Sequence, residues 1–254
     1  MILNAIQIGE GRPVVILHGL FGAGRNFGAI QRALARSFQT IALDMRNHGA
    51  SPHGADMRYT TLADDIAETM AGLGIGRAAV IGHSMGGKAA MALALRHPAL
   101  VGRVLVCDIA PVVYQHGNTV LTSAMQAIPL TPDLTRRTAD ALLADTVKDP
   151  TLRLFLLQNL QIGFQPRWRI GLNKIVSAIP DIEGWTDLPG SYYGPSLFVT
   201  GANSDYVMPE HRPIIRSLFP AAKFLAIKNA GHWVHADNQA GFLSVVEAFL
   251  NGWR

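Results

Sequence analysis

Val80-Ile81-Gly82-His83-Ser84-Met85-Gly86-Gly87 is the stretch that decides the fold. Ala78 to Ile81 is a run of small and β-branched residues and reads as a buried strand. Met85 to His97 is rich in Ala, Leu and Met at helical spacing. Between them stands Gly-x-Ser-x-Gly, with Ser84 at the corner. A strand that turns into a helix this tightly leaves no room for side chains on its flanks, which is why glycine stands there. The turn lifts the serine hydroxyl off the sheet and sets a helix N-terminus beneath it. A glycine-rich surface turn has the same pattern, but it lacks the strand before and the helix after.

Outward from this turn, apolar runs alternate with helical stretches. Val14 to Leu17, Gln39 to Asp44, Val101 to Ile109, Ser196 to Thr200 and Lys223 to Lys228 read as strands, and residues 2–8 as a short edge strand. Helices are expected over Asn26–Ser37, Thr61–Leu73 (capped by Thr60 or Thr61), Pro209–Phe219 and Gln239–Leu250. This alternation predicts an α/β architecture, a mostly parallel sheet with helices on both faces. The rhythm breaks from 112 to 190, where Val120–Ile128, Leu134–Val147 and Thr151–Leu160 are helical pieces separated by Pro and Gly. The expected organisation is a core of residues 1–111 and 191–254. A helical cap, 112–190, is inserted after the sixth strand over the carboxyl edge of the sheet. The plainer reading of that segment is a helical layer with no binding role.

Composition narrows the function classes. With 254 residues and 49% hydrophobic content, the chain buries a sizeable core, and 16% charged residues exclude a disordered one. The net charge of +4 is spread out; Arg136-Arg137 and Arg167-Trp168-Arg169 are short pairs without the dense basic block of a nucleic-acid binder. No apolar run is long enough to span a membrane, and no secretory leader pattern opens the chain. The single cysteine, Cys107, lies in an apolar run and reads as buried. These features suggest a cytoplasmic protein, a monomer or homodimer, acting on a small molecule.

A serine hydroxyl needs a base within hydrogen-bond reach, and the base needs a carboxylate to hold its tautomer. His232, in the Gly-His loop after the last strand, is the candidate base; His211 and His235 fit less well. His232 and His235 form a His-x-x-His pair, yet no third ligand stands at metal spacing, so no metal is expected. Two aspartates compete for the acid. Asp205 follows the penultimate strand, and Asp108 ends the strand after the elbow helix. His18-Gly19-Leu20-Phe21-Gly22, directly after a strand, suits a loop whose amides face a ligand. The amide of Met85 with that of Leu20 or Phe21 is the expected oxyanion hole. His18, Asp44, Arg46, His48 and His53 read as loop-fixing residues. Phe21, Met85, Phe155, Phe164, Trp168 and Trp185 are candidates to line an apolar substrate pocket.

Five segments together resemble the α/β-hydrolase esterases of the bacterial YbfF type and, similarly, the mitochondrial abhydrolase-domain-eleven proteins. They are His-Gly-Leu-Phe-Gly at 18–22, Asp-Met-Arg-Asn-His-Gly-Ala-Ser-Pro at 44–52, Gly-His-Ser-Met-Gly-Gly-Lys at 82–88, Asp-Ile-Ala-Pro at 108–111 and Gly-His-Trp-Val-His-Ala at 231–236. The likeness spans nearly the whole chain and is weakest in the insertion. It implies the α/β-hydrolase fold and carboxylesterase or acyl-thioesterase activity without a cofactor. It also favours Asp108 as the acid, because relatives carry a non-acidic residue where Asp205 stands. Carbon–carbon bond hydrolysis and cofactor-free haloperoxidase chemistry use the same three residues. A non-catalytic ligand receptor is the rival from another class.

Overall fold

A computed structural model describes residues 1–114 and 117–253; residues 115 and 116 of the insertion and residue 254 lie outside the described residues. The strands are β1 (Ala5–Ile8), β2 (Pro13–Leu17), β3 (Gln39–Leu43), β4 (Ala78–His83), β5 (Val101–Cys107), β6 (Leu160–Gln161), β7 (Arg167–Trp168), β8 (Ser196–Gly201) and β9 (Ala222–Ile227). Seven of them form one sheet in the order β1-β3-β2-β4-β5-β8-β9, and β6 with β7 forms a separate two-stranded hairpin. Within the large sheet only β1, on an edge, runs antiparallel. The helices are α1 (Gly28–Leu34), α2 (Tyr59–Gly72), α3 (Met85–Arg96), α4 (Asn118–Gln126), α5 (Arg136–Ala144), α6 (Pro150–Leu157), α7 (Leu172–Ser177), α8 (Ile179–Glu183), α9 (Arg212–Leu218), α10 (Val234–Asp237) and α11 (Gln239–Leu250).

The continuous apolar runs are central strands because both of their faces are covered. Side chains alternate across a strand. Val15, Leu17 and Val80 therefore join one core with Ile66 of α2 and Met91 of α3. Val14, Ile16 and Ile81 join the other, with Leu34 of α1 and Val246 of α11. Cys107 is buried and free, as its apolar run implies. Helix α2 begins earlier than expected, after Arg58, and no threonine caps it. Thr61 instead donates its hydroxyl to Asp56. No helix among the described residues is long and apolar enough to cross a membrane.

The inserted segment follows the fifth strand of the sheet rather than the sixth, since only β1 to β5 precede it. It carries α4 to α8 and the β6–β7 hairpin. Its buried Met125, Leu143, Leu156 and Ile175 share a core with α2 and α3. Three polar ties also reach across. Tyr59 donates to the Ile182 carbonyl at 2.6 Å, Asn159 Nδ2 to the Phe21 carbonyl at 2.7 Å, and Lys88 Nζ to the Glu183 and Gly184 carbonyls at 2.9 and 2.5 Å.

The register levels the carboxyl ends of the parallel strands. Leu17 pairs with Gly82, His83 with Cys107, Cys107 with Val199, and Gly201 with Ile227. The loops that follow therefore emerge along one edge, where open α/β sheets bind ligands.

Candidate active site

Ser84 and Asp108 are the first residues beyond the paired His83 and Cys107, and both have positive φ, 52° and 54°. Left-handed backbone at a non-glycine residue is costly and persists only where the surroundings enforce it. At the elbow the enforcement is steric. A Cβ on Gly82 would meet the Gly86 carbonyl at 2.1 Å, and one on Gly86 would meet the Leu17 carbonyl at 2.5 Å. Ser84 N donates to the Cys107 carbonyl at 3.0 Å, which ties the corner to β5. Ser84 is also the N-cap residue of α3, so its hydroxyl sits at the positive end of a 12-residue helix.

The Asp108 side chain is fully buried, and three donors hold its carboxylate. Gly201 N reaches Oδ1 at 3.2 Å, while Ser204 Oγ and His232 Nδ1 reach Oδ2 at 2.5 and 2.8 Å. A carboxylate only accepts, so His232 carries its proton on Nδ1 and turns the Nε2 lone pair elsewhere. Asp205, the residue after Ser204 in the loop that follows β8, is exposed and makes no hydrogen bond among the described residues. The structure thus brings Asp108, and not Asp205, to His232.

Ser84 and His232 line the same cleft of about 280 Å³ without a hydrogen bond between them, a contact that commonly tightens only once substrate is bound. Its walls include Gly19, Leu20, Phe21, Met85, Leu121 and Phe155. The expected oxyanion donors separate here. Phe21 N donates to His48 Nε2 at 3.1 Å and is therefore occupied. The amides of Leu20 and Met85 engage no acceptor among the described residues.

Three of the expected pocket aromatics lie elsewhere. Phe164 is 86% exposed in the turn of the β6–β7 hairpin. Trp168, on β7, lines a shallow depression with His53 and Ile170 instead. Trp185 is half-buried against Tyr59, with ring centres 6.0 Å apart. Aromatic character marked them, but which face each presents is settled by the packing of the insertion. Conversely, Leu121, Leu152, Tyr206 and Trp233 line the cleft, and the aliphatic leucines carried no local signal for it.

The loop-fixing histidines behave as their positions suggest. His18 donates from Nδ1 to the Gly19 carbonyl at 2.7 Å and accepts from Met45 N at 2.9 Å. His48 donates from Nδ1 to the Arg46 carbonyl at 2.8 Å. Burial lowers His18 to about 4 and His48 to about 3, so both are neutral. His235 stacks on Phe27 with ring centres 4.3 Å apart, and among the described residues no group of three or more His, Cys, Asp or Glu is arranged to hold a metal. Lys88, one turn beyond Ser84 on α3, reaches the cleft wall, and burial lowers its ammonium to about 7.

Comparison with known proteins gives the family. The alpha/beta hydrolase fold family matches residues 12–239. The esterase YbfF of Escherichia coli is 35% identical over 94% of this chain and 93% of its own length. The sn-1-specific diacylglycerol lipase ABHD11 of Mus musculus is 38% identical over 93% of this chain and 80% of its own. The solved structure of a marine microorganism esterase superposes with a TM-score of 0.95 at 35% identity, covering 98% of this chain and 99% of that one. With the elbow, the sheet order and these relatives in agreement, the chain belongs to the α/β-hydrolase fold family, among the esterases of the YbfF type.

Proposed function

We propose that this protein is a serine carboxylic ester hydrolase that works through an acyl-enzyme on Ser84. The observation that carries the reading is the 2.8 Å bond from His232 Nδ1 to the buried Asp108, at the edge of the cleft that Ser84 also lines. With Nδ1 protonated and anchored, His232 Nε2 is the available base. It takes the Ser84 proton as Oγ attacks the substrate carbonyl. The oxyanion that forms is received by the amides of Leu20 and Met85, at the N-terminus of α3. The imidazolium, stabilised by Asp108, returns its proton to the leaving alkoxide or thiolate. A water activated by the same Nε2 then releases the acid and frees Ser84.

The substrate class in this reading is a small-molecule ester or acyl thioester with an apolar acyl part of small to medium size. Leu20, Phe21, Leu121, Leu152 and Phe155 along the cleft support it, as do the lipase and esterase relatives. Residues 112–190 act as the cap: Leu121, Leu152 and Phe155 of the cleft wall come from α4 and α6. The reading takes the protein as cytoplasmic, a monomer or homodimer, and needs no cofactor.

The test is turnover of p-nitrophenyl esters from acetate to palmitate, with Ser84→Ala as control. Wild-type turnover should fall by about 10⁴-fold or more in the variant, and the chain-length optimum should report the size of the cleft. Turnover that survives the substitution would refute the acyl-enzyme.

A further inference from the structure

His232 is not alone. Its ring lies 4.8 Å from that of His83, which lies 4.7 Å from that of His235. Three imidazoles this close cannot all be charged, because each cation raises the cost of the next. For the chemistry proposed above, the charge must go to His232 and to neither neighbour.

The surroundings of the three rings differ in a way that makes this choice. His232 faces the Asp108 carboxylate at Nδ1, and the ring of Tyr206 lies flat on it, with centres 3.6 Å apart and planes 19° apart. A cation over an aromatic face is attracted by the ring quadrupole, so the stack favours the imidazolium over the imidazole. Burial raises the Tyr206 phenol to about 12, which keeps that ring neutral through the working range. The loop is fixed for the purpose. Tyr206 N donates to Ser204 Oγ at 3.3 Å, Ser204 Oγ donates in turn to Asp108, and the Tyr206 carbonyl accepts from Tyr114 at 2.6 Å.

His83 has the opposite environment. It is 4% exposed, no carboxylate bonds it among the described residues, and its Nε2 lies 2.9 Å from the His232 carbonyl. A carbonyl only accepts, so Nε2 is the protonated nitrogen and His83 pins the backbone of His232 while staying neutral. Burial holds it well below 6.5, with the charges of His235 and His232 acting in the same direction. His235 is held at about 4 by burial and by His232, and its Nδ1 is buried without a hydrogen-bond partner among the described residues. The groups that bear on His232 are therefore Asp108 after β5, His83 at the end of β4, His235 on α10, and Tyr206 with exposed Asp205 beside it.

We infer that Tyr206 and His83 are positioning residues that make His232 the one imidazole of this cluster able to carry charge: Tyr206 by the face it lays on the ring, His83 by clamping the backbone as a neutral donor. The inference rests on His232 being the base. Two readouts separate its failure from the failure of that reading. The first is the imidazole titration of His232 followed by NMR in Ser84→Ala, which needs no turnover. The second is the acidic limb of the kcat/KM profile on a p-nitrophenyl ester.

Tyr206→Leu should move both to lower pH, while Tyr206→Phe, which keeps the face, should hold the wild-type position. His83→Phe should lower kcat by about tenfold with KM little changed. His83→Gln, whose amide can donate from nearly the place of Nε2, should restore most of it. A Tyr206→Leu variant that loses rate at every pH without moving the limb would reduce Tyr206 to scaffolding. A His83 or His235 titrating above His232 would overturn the assignment. If no ester is turned over, yet the NMR shift on Tyr206→Leu is present, the ester substrate fails while the placement of the charge on His232 stands.

Discussion

Two histidine–aspartate neighbourhoods stand along the same sheet edge, and their fates differ. At the ends of β2 and β3, His18 and His48 meet edge to face with ring centres 5.1 Å apart, beside buried Asp44. Both nitrogens of each ring are taken up by backbone groups. Asp44 is equally saturated, accepting from Gly24 N, Ala50 N and Asn4 Nδ2 at 2.7, 2.8 and 2.8 Å. At the ends of β4, β5 and β9, Asp108 holds one nitrogen of His232, whose side chain is 21% exposed and lines the cleft, and whose other nitrogen has no hydrogen-bond partner among the described residues. Residue types and strand-end positions are alike. What separates scaffold from candidate catalyst is one ring nitrogen without a hydrogen-bond partner among the described residues.

The sharpest way to break this comparison is to remove one charge from each neighbourhood. Asp108→Asn should lower kcat by about 10⁴-fold, since the amide holds the wrong tautomer of the base. Asp44→Asn should leave kcat within about tenfold but destabilise the fold by about 1–3 kcal/mol, because buried amides lose their acceptor. Steady-state kinetics and thermal melting of the two variants decide it, and the reverse ranking would erase the distinction.

A second effect belongs to the saturated pair. The folded-state values of His18 and His48, about 4 and about 3, lie below the ordinary 6.5, so the folded state binds fewer protons than the unfolded chain in between. Their stabilisation is complete above pH 6.5 and is lost as the pH falls through that window. By pH 4.5 the loss should reach about 2–3 kcal/mol per histidine. Melting temperature followed from pH 7.5 to 4.5 should fall accordingly. His48→Gln, which can still accept from Phe21 N, should remove its share of the slope; an unchanged slope would contradict the buried neutral state.

The smallest effect expected is at Asp205. It is exposed and, unlike Asp108, makes no hydrogen bond to His232, so Asp205→Asn should change kcat/KM by no more than about twofold. A loss as large as that of Asp108→Asn would mean that the two carboxylates exchange roles.

Much of this was legible in the chain because the features involved are local or repetitive. Strand–turn–helix at 78–97 needs only its own glycines, and Val14 to Leu17 declares a doubly covered strand by being apolar at every position. Asp108 and His232 follow strands whose register brings their ends level. The insertion was less readable because its order comes from distant contacts. Asn159 on the Phe21 carbonyl and Arg136 on the Leu157 and Leu160 carbonyls have no periodic signature. Aromatic character alone points Trp168 and Trp185 at a substrate, whereas the hairpin and the Tyr59 contact hold them elsewhere. Loop position makes Phe21 N eligible as an oxyanion donor, and only the fold brings His48 to occupy it.

Lys88 carries a consequence for how the molecule comes apart. Its ammonium lies on the helix that begins at Ser84, and both of its hydrogen bonds end on carbonyls of the inserted segment. Peeling that segment away strips the partners from a buried cation and opens the shared core at Met125 and Leu156. Opening the segment therefore exposes core and undoes polar ties in one event, which couples it to the helix that carries Ser84.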